Sequence, residues 1–194
     1  LGEDKWEGRV CVRSSNNIYN QSLLASIIES AGEEAAEDWA EDLVENFARD
    51  PQGGDTDQIR AVAAGACDVA ISNHYYYMRL KASDKEEDRE VAESTAFFFP
   101  NQEGRGTHVN VSAAGLVANA PNRENAVKLI EYMTSPAAQE ILVSSNREYP
   151  ASKYVPTPDV LKDLGEFKSD AVNVSAYGIN NPAAVRIMDR VGWK

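Results

Sequence analysis

Apolar and polar positions change period along this chain, and the changes mark its elements. Val10-Cys-Val12 is a short apolar run between arginines, which predicts a buried strand over residues 8–13. Ser14 to Asn17 supplies N-cap side chains, and Ile18, Leu23, Leu24, Ile27 and Ile28 then recur on one helical stripe that stops at Gly32. A second helix, from Glu33 to about Asn46, turns Trp39, Leu43 and Phe47 inward and shows its acids to water. Residues 49–55 carry turn chemistry, and Thr56 or Asp57 can cap a helix that runs to Gly65. Cys67 to Ser72 is the next strand, with Val69, Ala70 and Ile71 at its centre. Strand, helix, helix, strand in that order predicts an α/β three-layer sandwich with a mostly parallel sheet.

The later pattern is more broken. Lys81 to Glu93 reads as a charged helix, Ala96 to Phe99 as a buried strand stopped by Pro100, and residues 101–108 as a polar, glycine-rich crossing. Val109 to Val117 is strand-like again, Asn122 to Met133 is an amphipathic helix, and Ser135-Pro136 starts another. Residues 150–158 read as loop and 161–167 as a short element. Asn180-Asn-Pro-Ala opens a final helix that ends near Gly192-Trp193.

Composition narrows the function classes. A chain of 194 residues with 43% hydrophobic positions has enough apolar material for one domain or two small ones. A net charge of −12 repels nucleic acid and anionic membranes, and no basic patch offsets it. No apolar run is long enough to span a membrane, and no segment has the pattern of a signal peptide. The opening Leu1-Gly-Glu-Asp-Lys-Trp6 reads as the middle of something longer. Phosphate-loop, dinucleotide and nucleophile-elbow motifs are absent, and two histidines, His74 and His108, leave little for a catalytic triad.

The remaining chemistry lies in phenols. His74-Tyr-Tyr-Tyr77 follows the second strand, at the carboxyl edge where open sheets gather ligands. On an extended segment neighbouring side chains face opposite ways, so simple packing does not account for all three rings. Tyr19 begins the helix after the first strand, at the same edge if the strands are neighbours; it is either a further ligand or an exposed first-turn residue. A phenol of pKa about 10 binds metal as phenolate only when the cation is highly charged. Hard oxygen donors suit hard cations, and Fe(III) rewards phenolate most. Two other classes compete: a periplasmic protein binding an organic anion or sugar through the tyrosines, and a hydrolase or transferase with His74 or His108 as base.

Several stretches resemble the ferric-ion-binding proteins of bacterial ABC iron uptake. They are Trp6-x-Gly8-Arg9, Arg13-Ser-Ser-x-Asn-Ile-Tyr-Asn20, Pro51-Gln-Gly-Gly54, residues 58–65, Asn73-His-Tyr-Tyr-Tyr77 and Phe99-Pro-Asn-Gln102. Gly104-Arg-Gly-Thr-His-Val-Asn110, Asn173-Val-Ser-Ala176 and residues 184–190 continue the likeness over essentially the whole chain. It is nearest the branch, found in cyanobacteria among others, that holds iron through three tyrosines of the second lobe. The resemblance implies a type II periplasmic binding fold that captures Fe(III) outside the inner membrane and delivers it to an ABC permease, with no enzymatic step. Tyr19, Tyr75 and Tyr76 are the implied phenolate ligands; Tyr77 is expected to pack, and His74 and Arg105 to stand behind the ligands. Other branches place a phosphate-binding serine near position 19, so the tyrosine here implies less dependence on an exogenous anion.

The family is a two-lobed clamp, and the resemblance places this chain after most of the first lobe. Residues 1–108 and 155–194 are expected to form the second, C-terminal lobe, while residues 109–154 cross back to pack with the absent N-terminal lobe. An exported protein meets an oxidising compartment, so Cys11 and Cys67, on strands expected to be adjacent, are candidates for a disulfide. If Ser14 and Ser72 sit at matching strand ends, the cysteines are offset, which favours two buried free thiols.

Overall fold

The computed structural model describes residues 1–194. Two compact units emerge, one made of Leu1–Asn110 with Phe167–Lys194, the other of Val111–Glu166.

In the first unit a short 3-10 turn leads to β1 (Val10–Cys11), followed by α1 (Ile18–Ala31), α2 (Glu33–Glu45), α3 (Asp55–Ala63), β2 (Val69–Ala70), α4 (His74–Lys81) and α5 (Glu86–Glu93). β1 and β2 pair in parallel, Val10 opposite Val69 and Cys11 opposite Ala70, and Phe47 makes a parallel bridge to the other side of Val10. The sheet is thus parallel as the pattern predicts but only two residues deep, because the chain leaves the ladder for polar loops on both sides. Asn17 caps α1 by accepting from the Tyr19 amide at 3.0 Å, and Gly32, at φ 90°, ends it and lets α2 turn back. For α3 the cap works in reverse: the Asp57 carboxylate reaches back to the Gly54 amide at 2.7 Å.

Two separate apolar clusters support this unit. The larger joins Val10 and Val12 to Leu24, Ala25 and Ile28 of α1, to Ala36, Ala40 and Leu43 of α2, and to the last helix and Trp193. The smaller joins Ile59 of α3, Leu80 of α4 and Ala92 of α5, with Tyr76 and Tyr77 against it. Fully burying a leucine, as with Leu24 and Leu43 in the larger cluster and Leu80 in the smaller, stabilises by about 2 kcal/mol, so the larger cluster holds its helices more firmly than the smaller.

Several predicted elements differ. Cys11 and Cys67 form a disulfide, with Cα atoms 5.9 Å apart, and no free cysteine remains. On a straight strand three residues of offset would separate them by roughly 10 Å along the axis. The chain is bent instead: the amides of Asp68 and Val69 both donate to the Arg9 carbonyl, at 2.9 and 3.1 Å, which curls Cys67 back beside Cys11. Closing a loop with ends 56 residues apart stabilises the fold by about 4 kcal/mol through the entropy of the unfolded chain. The tyrosine run is helical rather than extended. Lys81 to Glu93 is broken between α4 and α5, and Ala96 to Phe99 has no strand partner: Phe98 is 77% exposed while Phe97 and Phe99 pack edge to face. The crossing is held by a bridge between Thr107 and Ser169, where Gly106, at φ 98°, passes so close that a Cβ would lie 2.7 Å from the Ser169 carbonyl.

The last helix, labelled α9 below, runs over Ser175–Arg190, five residues earlier than the pattern predicts, with Pro182 inside it. Ala183, Ala184, Ile187 and Met188 are buried against the larger cluster, and Asn180 and Asn181 reach Glu29 and Gln21 of α1 at 2.9 and 3.0 Å. That packing offsets the hydrogen bond that Pro182 cannot donate.

The second unit contains α6 (Arg123–Met133), α7 (Pro136–Asn146) and α8 (Asp159–Lys162). Ser135 caps α7 through the Ala138 amide at 3.3 Å. Val109 to Val117, expected as a strand, forms none, and Val111 and Val117 are exposed. No helix is long and apolar enough to cross a membrane.

Candidate metal centre

Three phenols meet at the carboxyl ends of β1 and β2. Tyr19 stands in the first turn of α1, and Tyr75 and Tyr76 stand in the first turn of α4. The Tyr75 hydroxyl donates to the Tyr19 oxygen at 2.9 Å, and the Tyr76 oxygen lies 3.5 Å from the same atom. A helix makes this possible, since residues 75 and 76 are only about 100° apart around its axis and share one side. On a strand they would have faced opposite ways.

Beneath the phenols lies an ionic and amide network. Asp55, 2% exposed, accepts from Arg13 Nη1 at 2.7 Å, from the Asn73 amide at 2.7 Å and from Asn73 Nδ2 at 3.1 Å, with Ser72 Oγ at 3.4 Å. Asn73 is the N-cap of α4, so this carboxylate fixes the start of the helix that carries Tyr75 and Tyr76. The Arg13 guanidinium lies 5.3 Å from the centre of the Tyr19 ring. Burial opposes its charge, but Asp55 more than offsets that and holds the guanidinium pKa above its ordinary value. On the other flank Arg79 lies 5.0 Å from the Tyr75 ring and 5.4 Å from the Tyr76 ring, at cation–π distance. Asn110 closes the group: its Nδ2 donates to Asn73 Oδ1 at 2.9 Å, and its Oδ1 accepts from Ser22 Oγ.

Burial pushes the Tyr75 hydroxyl far above the ordinary phenol range, and its hydrogen bonds to Tyr19 and Tyr76 add to that. Tyr76 moves the same way, first through burial and then through Tyr19. Without a cation, therefore, Tyr75 and Tyr76 keep their protons at neutral pH.

The other predicted residues divide. Tyr77 points to the opposite side of α4, where its hydroxyl donates to the Ala92 carbonyl at 3.2 Å and its ring packs near Phe97. His74 lies edge-on to Tyr75, with ring centres 5.7 Å apart. Arg105 does not stand behind the ligands: it reaches α1 further along, donating to the Ser26 carbonyl at 3.0 Å, and pairs with Asp170 at 3.3 Å. The Ser26 carbonyl and hydroxyl and the Ser30 hydroxyl all accept from the guanidinium, and Asp170 neutralises it, which holds it against α1. His108 has no carboxylate on Nδ1, its Nε2 lies 3.2 Å from Ser22 Oγ, and burial lowers its pKa to about 4, so no triad forms around it. Sequence reasoning missed Arg13, Asp55, Asn73, Arg79 and Asn110. Asp55 stands in a Gly-Gly-Asp turn that reads as turn chemistry, and only its 42-residue reach to Arg13 reveals more.

With this geometry in hand, residues 1–170 match the family described as bacterial extracellular solute-binding protein. The chain belongs to that family. It is 50% identical over 194 residues to iron uptake protein A1 of Synechocystis sp., covering 100% of this chain and 54% of that protein. Among solved structures it superposes on the Trichodesmium protein IdiA (FutA), in complex with iron and citrate ligands, with a TM-score of 0.96 and 55% identity. It superposes on the ferric binding protein from Campylobacter jejuni with a TM-score of 0.95 and 40% identity. Each match covers 100% of this chain and 61% of the solved chain. The chain therefore spans a little over half the length of its curated relative, and over that span its fold is the periplasmic-binding-protein fold expected from the sequence.

Proposed function

We propose that this chain supplies the phenol side of a ferric site in the substrate-binding component of an ABC iron importer. Tyr19, Tyr75 and Tyr76 would ligate Fe(III), and Tyr77 and Arg105 would not. The carrying observation is the convergence of three phenol oxygens, 2.9 and 3.5 Å apart, from helices 56 residues distant in sequence. Hard, anionic oxygens fit a hard trication, and a trication at that point reverses the preference of Tyr75 and Tyr76 for their protons. Arg13 and Asp55 would hold the donors in place beneath it. Three phenolates leave coordination positions open, and a small oxyanion such as citrate, or groups beyond these residues, would occupy them. The printed descriptions of the relatives, which concern iron uptake and ferric binding, support this reading, as does their match over the whole of this chain. The same reading places the protein in the periplasm, delivering to an inner-membrane permease, with no chemistry performed on the cargo.

The test is optical. Ferric citrate added to the protein should produce the purple-red phenolate-to-Fe(III) charge-transfer band, saturating at one iron per chain. A colourless protein that leaves all the iron with citrate would end this reading.

A further inference from the structure

The three phenols belong to two different bodies. Tyr19 rides on α1, which is seated in the larger apolar cluster, whereas Tyr75 and Tyr76 ride on α4, which is seated in the smaller one with Ile59, Leu80 and Ala92. Between the bodies the sheet is thin, since β1 and β2 pair over two residues. Its links are the amides of Asp68 and Val69 on the Arg9 carbonyl and the Ile71 amide on the Cys11 carbonyl at 3.2 Å. Beyond that ladder the exposed Asn110–Asn73 bond and the Arg13–Asp55, Arg9–Asp68 and Arg49–Gln58 contacts join the two sides, and Ile71, just after β2, packs against the larger cluster. One covalent tie crosses the boundary. Cys11, at the end of β1, is eight residues before Tyr19, and Cys67, at the entry to β2, is eight residues before Tyr75. Both are buried, at 0% and 4% exposure, so the bond lies inside the seam.

We propose that the Cys11–Cys67 disulfide is a positioning element of the phenol site: it locks the register between the two bodies and so fixes the distance from Tyr19 to Tyr75 and Tyr76. The proposal rests on the ferric reading above for its functional consequence, but the geometry it asserts exists without metal. Each cluster keeps its own helix seated when the bond is broken. What loosens is the alignment of α1 with α4, and with it the simultaneous reach of three oxygens to one cation.

The experiment compares the unaltered 194-residue chain with Cys11→Ala/Cys67→Ala. It adds the unaltered chain reduced by a trialkylphosphine and then desalted. In that reaction the S–S bond breaks to two thiols while the phosphine becomes its oxide, with water supplying the oxygen and the protons. Far-ultraviolet circular dichroism reports helix content. Ring-labelled tyrosine NMR on metal-free protein reads Tyr19-to-Tyr75 and Tyr19-to-Tyr76 contacts. Ferric citrate titration reads the charge-transfer band and the citrate needed to remove the iron.

Helix content is expected to persist in both altered proteins while the inter-tyrosine contacts weaken. The charge-transfer maximum should shift, and iron should pass to citrate at a concentration about tenfold lower or less, the scale at which supporting groups alter metal affinity. A lower melting temperature with unchanged ring contacts, band and citrate midpoint would assign the bond to stability alone and overturn the proposal. If the double variant does not fold, the reduced 194-residue chain decides by the same readouts. If the unaltered chain shows no band, the ferric reading fails, and the ring contacts still decide whether the disulfide positions the phenols.

Discussion

Replacing Asp55 by alanine is the most informative single change outside the phenols. The carboxylate is 2% exposed and takes donors from Arg13 at 2.7 Å and from Asn73 at 2.7 and 3.1 Å. Its loss leaves a guanidinium, 22% exposed, without its counter-charge, and leaves the amide at the start of α4 without its acceptor. Removing one partner of a buried pair costs about 3–5 kcal/mol; the partial exposure of Arg13 places this case at the lower end, about 3 kcal/mol. Asp55→Asn keeps one acceptor but turns an amide toward Arg13, and should cost about 2 kcal/mol. Urea unfolding measures both, provided the slope stays constant so that midpoint shifts report stability. Arg13→Met/Asp55→Ala removes the stranded charge and should cost less than the sum of its single variants, by 1 kcal/mol or more on the scale of about 0.5–3 kcal/mol for contacting residues. A cost below about 1 kcal/mol for Asp55→Ala, or strict additivity in the cycle, would refute the reasoning that this carboxylate anchors both Arg13 and α4.

Tyrosine-to-phenylalanine changes separate ligands from packing. Tyr19→Phe, Tyr75→Phe and Tyr76→Phe should each lower charge-transfer absorbance per bound iron by roughly one third, as one of three phenolates is lost, while Tyr77→Phe leaves it unchanged. A drop with Tyr77→Phe equal to the others, read by visible titration, would contradict the assignment. His108 predicts acid sensitivity. Its folded pKa of about 4 lies below the unfolded value of 6.5, so its stabilising effect is complete above pH 6.5 and is lost as pH falls toward 4. The shift caps the effect at about 3 kcal/mol, which the partial exposure of the ring reduces to about 2 kcal/mol, and His108→Gln should flatten the dependence between pH 7 and 4.5 in urea unfolding. A variant that keeps the same slope would assign the acid sensitivity to other groups.

Local chemistry was readable where one residue decides it. Asn17 before Ile18, Gly32 after Ala31 and Ser135-Pro136 each mark a helix end, and the structure places the ends there. Tertiary packing overrode local signals elsewhere. Pro182 reads as a helix start, yet α9 passes through it because Ala183, Ala184, Ile187 and Met188 are buried. Phe97 to Phe99 has strand composition but no neighbouring strand to pair with. The disulfide escaped because a bend at Asp68, which no residue type announces, replaces the straight strand on which an offset can be counted. In the site, unusual residues stood out and ordinary ones did not. Three adjacent tyrosines after a strand are conspicuous, whereas Asp55, Arg13 and Asn73 gain meaning only from one another.

The protons retained by the half-buried phenols Tyr75 and Tyr76 bear on how a loaded protein is told from an empty one. Under the proposed function a trication enters as phenol protons leave, so most of its charge is offset within the site, and an oxyanion completing the coordination would add to the formal charge of −12 at pH 7. The metal by itself is then nearly silent electrically at a distance. A permease meeting this surface then has little field from the metal itself by which to sort full from empty, and would read the cargo through the shape that the lobe takes around it.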